Sequence, residues 1–147
     1  MTPESHHRAL ERMYLGAPLN AFFRPRIRVA HETAEIDMDV REDFHHAAGA
    51  VHGAVYFKML DDAAFFAANS VETEVFVLTT AFTTYLTRPI STGRMHATGR
   101  VVNRNRSQIV AEAVVRNADG IEVGRGSGLF VRSKVKLADV PTYRLEG

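Results

Sequence analysis

The strongest periodicity in the chain lies between His45 and Asn69, in the stretch HHAAGAVHGAVYFKMLDDAAFFAAN. Val51, Val55, Met59, Leu60, Ala63, Ala64 and Ala67 recur at spacings of three and four, which buries one stripe of a helix. No proline or glycine interrupts the run from Ala54 to Asn69, so the pattern predicts a long helix opening at His52-Gly53. Its alanines allow a close approach by whatever packs on it. Two adjacent acids, Asp61 and Asp62, sit in its middle. A carboxylate there is costly to bury unless it is partnered or used.

The flanks read differently. Thr2-Pro3-Glu4-Ser5 has the residues of a helix start, with Leu10, Met13 and Tyr14 as a short apolar face that Gly16-Ala17-Pro18 ends. Arg26 to Val40 is strand-like: Ala34, Ile36, Met38 and Val40 alternate with Glu35, Asp37 and Asp39. Beyond Asn69-Ser70 the period stays near two. Glu74 to Leu86 is rich in Val, Thr, Phe and Tyr; Met95, Ala97, Gly99 and Val101 share one face, as do Ile109, Ala111, Ala113 and Val115. Asn117-Ala118-Asp119-Gly120 signals a hairpin before a last strand over Ile121 to Val131. Lys134 to Gly147 reads as a tail of low order. The expected architecture is one α+β domain over 1–147, with a helical extension over 1–23. Its long helix is wrapped by a curved antiparallel sheet of five to six strands.

Composition narrows the chemistry. The chain has 147 residues, 18 basic and 17 acidic side chains, and no cysteine. The balance of charge offers no field for holding nucleic acid or an anionic membrane. Disulfides, thiolate metal sites and cysteine nucleophiles are excluded. No run has membrane-spanning length, and the first residues lack a signal peptide's apolar core, so a cytoplasmic location is expected. The pair His45-His46 has no third ligand at a defined spacing and is weak evidence for zinc.

Gly49-x-x-His52-Gly53, Asp61 eight residues after Gly53, Tyr85-Leu86-x-Arg88-Pro89, and Gly120 before the last strand together resemble the hotdog-fold thioesterases. The likeness, over roughly Ala34 to Val131, is nearest to the PaaI-like and human thioesterase-superfamily-member type. It implies that the Gly53 N–H polarises a thioester carbonyl and that Asp61 acts as nucleophile or general base. It also implies that His52 is the motif's histidine and that Thr79 helps to place water. His46 stands where the nearest members carry asparagine or glutamine, and Ala54 stands where a second glycine is usual; both are departures. The implied activity is acyl-CoA hydrolysis in a homodimer or homotetramer. No cofactor is implied, since coenzyme A is part of the substrate. Arg88, Arg104 and Arg106 are the candidates for its phosphates, and Phe57, Phe65, Phe66, Phe76, Phe82 and Tyr85 for an acyl pocket.

Elementary geometry adds a constraint. An acyl-transfer site needs donors at the developing oxyanion and a base near the carbonyl carbon. A helix N-terminus supplies the former, but Gly53 and Asp61 lie ~12 Å apart along one helix axis. Acting on one carbonyl requires two copies of the chain. Asp62 lies ~100° round the helix from Asp61 and is expected in a different microenvironment. Each residue alone has a plainer reading: Asp61 as a carboxylate at a subunit contact, His52 as a helix-start residue, Thr79 as a strand former, the arginines as solvated. The alternative at the level of function is a non-catalytic acyl-CoA-binding or sensing protein; a dehydratase ranks last.

Overall fold

The computed structural model describes residues 1–146. Helix α1 (Pro3–Leu15) opens on a capping box in which Thr2 and Ser5 satisfy each other's backbone N–H, with Pro3 in the first turn. A short helix, α2 (Asn20–Phe23), follows. Strands β1 (Arg26–Ala30) and β2 (Thr33–Asp39) lead through a 3-10 turn to helix α3 (Gly53–Asn69). The chain then runs through β3 (Val75–Leu86), β4 (Arg94–Arg104), β5 (Ile109–Arg116) and β6 (Glu122–Lys136). All six strands form one antiparallel sheet, ordered β1-β2-β4-β5-β6-β3, curved around α3 in the expected hotdog arrangement.

The strand-like stretch from Arg26 to Val40, which allowed one or two strands, is two, turned at His31-Glu32 where Glu32 takes φ 61°. Helix α3 buries Met59, Leu60, Ala63, Ala64, Ala67 and Ala68 completely against the sheet. Their burial is the main stabilising term, about 1.5–3 kcal/mol for each large side chain. The alternating residues of β4 and β5 face the helix as expected: Met95, Ala97, Ile109, Ala111 and Val115 are fully buried. The closest contact is at Gly99, where a β-carbon would lie 2.1 Å from the Ala63 carbonyl oxygen. Glycine is therefore required there, and helix and sheet touch backbone to backbone. Gly120 closes the β5–β6 hairpin at φ 80°, in the left-handed region that glycine enters freely.

Over the described residues 134–146 the expectation of a tail of low order is corrected; Gly147 lies outside the described residues. Strand β6 runs on to Lys136, Leu137 is buried, and residues 140–144 pack along α1. What holds this segment is long-range: side chains of α1 supply its partners. Among the described residues no helix is long and apolar enough to cross a membrane.

Candidate active site

Every fourth residue on one face of α3 meets β3. Gly53 lies against Leu86, and the rings of Phe57 and Phe82 are 5.6 Å apart. Asp61 accepts a hydrogen bond from Thr79 at 2.8 Å, and Phe65 stacks near Phe76 at 5.1 Å. Asn69 ends the row, its amide bonded to Val75 and Val77 of β3, and Asp61 is the row's one ionisable residue. A register shift between Thr79 and Ala81 marks a β-bulge in β3 beside Thr79, a device that re-aims a side chain next to a site.

Asp61 opens into a cleft of about 710 Å3 whose walls include Tyr14, Phe65, Phe66, Phe76 and Thr79. Burial pushes its carboxyl up to about 6, against the pull of the Thr79 hydroxyl, with the nearby Asp62 charge adding to the rise and Lys58 opposing it. The Thr79 bond occupies Oδ1 and leaves Oδ2 for other partners. Asp62 lines the same cleft, which corrects the expected separation: the cleft curves round the helix, and 100° does not take Asp62 out of it. Both Lys58 Nζ and the Tyr14 hydroxyl donate to Asp62 Oδ2 at 2.7 Å. Burial, then the Asp62 charge and this hydrogen bond, push the Tyr14 hydroxyl far above its ordinary range. Asp62 is thus held in place by two donors, whereas Asp61 is left with one free oxygen.

Gly53 lines a different, smaller cavity of about 390 Å3, together with His46, Tyr56, Leu86 and Arg88. His52 caps the helix: its Nδ1 accepts the Ala54 N–H at 2.9 Å, and its carbonyl accepts the Val55 N–H at 3.0 Å. The Gly53 N–H has no partner among the described residues, so it is the free donor at the positive end of α3. His52 acts here as a cap. His46 Nδ1 accepts the Ala48 N–H at 3.0 Å, which gives the neutral ring the Nε2–H tautomer and makes His46 a donor. His45 turns away, its Nε2 bonded to the Ser91 carbonyl at 2.8 Å.

The structure therefore joins Asp61 to Thr79, and Gly53 to His46 and Arg88, in two separate cavities. Arg104 and Arg106 stand elsewhere, in a third pocket with Arg132. Arg132 lies eight residues along β6 from Gly124, the partner of Leu86, or ~26 Å. Two of these arginines are also engaged: Arg104 pairs with Glu32 at 3.5 Å, and Arg132 with Glu72 at 2.8 Å. Sequence reasoning passed over Tyr14, Lys58 and Arg132. For Lys58 the i,i+4 spacing to Asp62 was the available signal; Tyr14 meets Asp62 across 48 residues and left none.

The sequence pattern of the thioesterase superfamily matches residues 48–123, just over half of the chain, and spans Gly53, Asp61, Thr79 and Arg88. The chain belongs to the thioesterase superfamily. No curated protein matches it by sequence. Among solved structures it resembles the E. coli PaaI protein from the phenylacetic acid degradation operon, at 19% identity and TM-score 0.83. That match covers 92% of this chain and 99% of that one. A variant of the phenylacetic acid degradation protein PaaI from Thermus thermophilus gives 22% identity and TM-score 0.72 over 80% of this chain and 100% of that one. AziG from S. sahachiroi gives 23% and 0.74, over 79% and 96%. At these identities the likeness establishes the hotdog fold of this superfamily member and nothing finer.

Proposed function

We propose that this thioesterase-superfamily chain hydrolyses acyl-CoA thioesters, with each site shared between two copies. Asp61 of one copy, through its free Oδ2, takes a proton from a water molecule as the hydroxide adds to the thioester carbonyl. The oxyanion is held by the Gly53 N–H of the second copy, with His46 Nε2–H beside it as a second donor. Collapse of the intermediate breaks the carbon–sulfur bond. The thiolate leaves with the proton from Asp61, giving free coenzyme A and a carboxylic acid, which ionises to the carboxylate by releasing its proton to solvent. Arg88, in the Gly53 cavity, is the basic side chain assigned to the coenzyme A moiety. No further cofactor enters the reaction.

The observation that carries this reading is the pairing of a base and a donor that one chain keeps apart. Asp61 has a carboxyl raised to about 6, near the pH at which a general base works best. The unpartnered Gly53 N–H opens into another cavity. Strand β3 supports association: it is an edge of the sheet, twelve residues long without one charged residue or proline, and Leu78, Tyr85 and Leu86 on it are exposed. Such an edge invites pairing with a second copy.

Complementation tests the arrangement. Gly53→Pro deletes the N–H at the first helical position, where proline is favoured, and His52 already has the extended backbone that a following proline needs. Asp61→Asn deletes the base. Each variant alone should be at least a hundredfold slower in releasing coenzyme A, on the order of one lost donor or base. Mixed and re-equilibrated, the two should recover a substantial fraction of wild-type activity, because a heterodimer holds one intact site. Mixtures that stay as inactive as their components, at concentrations where sedimentation shows dimers, refute the shared site.

A further inference from the structure

Both chain ends lie outside the superfamily-matched stretch 48–123, and they meet beside the Asp61 cleft. Gly16, just past α1, packs so tightly on Thr142 that a β-carbon there would sit 2.6 Å from Thr142 Cγ2. Arg12 Nε donates to the Arg144 carbonyl at 2.8 Å. The Tyr143 hydroxyl and His6 Nδ1 are 2.7 Å apart, and His6 Nε2 lies 2.9 Å from the Asn69 carbonyl. Nε2 therefore carries the proton and Tyr143 donates to Nδ1. His6 is fully buried. The two ends thus form a clasp anchored to the last residue of α3.

The clasp contributes Ala17, Pro18, Val140 and Pro141 to the cleft, opposite in kind to a nucleotide-binding surface. Coenzyme A is polar and charged, so a thioester whose carbonyl meets Asp61 can place only its hydrocarbon part among Phe65, Phe66 and Phe76. We infer that the clasp is the end-stop of this cleft and sets the length of the acyl group the chain accepts. The inference rests on the hydrolysis reading above and deepens it. Up to the stop, each added methylene should raise kcat/KM about fourfold, the value of its burial; beyond it, kcat/KM should fall.

Straight-chain acyl-CoAs from acetyl to palmitoyl test this in three variants whose folding is checked by circular dichroism. Gly16→Val, at a cleft-lining residue with ordinary φ −85°, forces Thr142 aside and should shift the ratio of long-chain to short-chain kcat/KM roughly tenfold or more. Gly16→Val/Thr142→Gly removes the collision and should return the ratio to that of the wild type. Val140→Phe narrows the cleft from the clasp and should lower the ratio roughly tenfold or more while sparing the shortest substrates. If Gly16→Val misfolds, Val140→Phe decides alone. A wild-type chain that hydrolyses none of the series sinks the hydrolysis reading, and the length limit is then read from calorimetric binding of the same thioesters. A limit unmoved by Val140→Phe, in either readout, overturns the clasp.

Discussion

Thr79 on β3 donates its hydroxyl to Asp61 Oδ1 at 2.8 Å, across the gap between sheet and helix. The bond favours the charged carboxylate, while burial favours the neutral acid and prevails. Asp61 therefore titrates at about 6, with one oxygen held by Thr79 and the other unpartnered.

Thioester hydrolysis should therefore rise with pH through an inflection at about 6 and level off above it, since only the ionised acid acts as a base. Thr79→Val removes the bond that opposes burial and should move the inflection upward. Activity at about pH 7 should drop several-fold and recover most of the way by about pH 9. A pH–rate profile for Thr79→Val that superimposes on the wild type would show that the hydroxyl does not tune the acid.

Asp61→Asn and Asp62→Asn should separate cleanly. The first should lower kcat by roughly two or more orders of magnitude. Its effect on stability has the opposite sign. The folded-state carboxyl titrates at about 6, above the ordinary 3.8, so the ionised form costs stability. That cost is fully present above about pH 6 and absent below the ordinary value. Asparagine relieves it, on the order of 1 kcal/mol after screening by solvent, so Tm should rise at about pH 8 and not at about pH 4. Asp62→Asn takes the charged partner from Lys58 and Tyr14. It should lower Tm at about pH 8, lower kcat less than roughly tenfold, and shift the Asp61 inflection downward. Equal losses of kcat in the two variants would show that the base is misassigned.

His46 can be tested by what replaces its donor. Asparagine keeps an N–H and alanine does not, so His46→Asn should retain most of the activity and His46→Ala should lose roughly a hundredfold in kcat, the scale of one oxyanion donor. If the two substitutions are equally benign, His46 is only a turn residue holding the Ala48 N–H.

Gly99→Ala should prevent stable folding or lower stability by more than about 3 kcal/mol, because the new methyl group meets helix backbone that cannot rotate away. Denaturant unfolding reads this directly, and a variant as stable as the wild type would show that α3 can lift from β4.

Much of this was readable in the residues. The three-and-four spacing from Val51 to Ala67 located α3, and the alternation in β2, β4 and β5 located their buried faces, because burial on one side leaves a regular pattern. The turn at His31-Glu32 left no such mark: a glutamate takes the positive φ where glycine or asparagine would have signalled it. The clasp was invisible for another reason. His6, Gly16, Thr142 and Tyr143 are ordinary in their local sequence, and their contacts join residues at opposite ends of the chain. That Gly53 and Asp61 of one chain cannot meet one carbonyl followed from helix geometry alone, whereas the cavities and their walls required knowing which distant segments come to rest beside them. Arg104 and Arg106 were candidates by residue type only, and residue type carries no position.

The row from Gly53 to Phe65 on α3 also divides the chain by its tolerance of changes in length. One residue inserted between Gly53 and Asp61 would turn the carboxylate about 100° and shift it about 1.5 Å along the axis, off Thr79 and out of step with the donor at the helix start. The exposed turns at 105–108 and 117–120 touch neither cavity and tolerate insertion better than α3 does. Related chains should therefore differ in the reach of their hairpins while keeping the interval from Gly53 to Asp61 fixed to the residue.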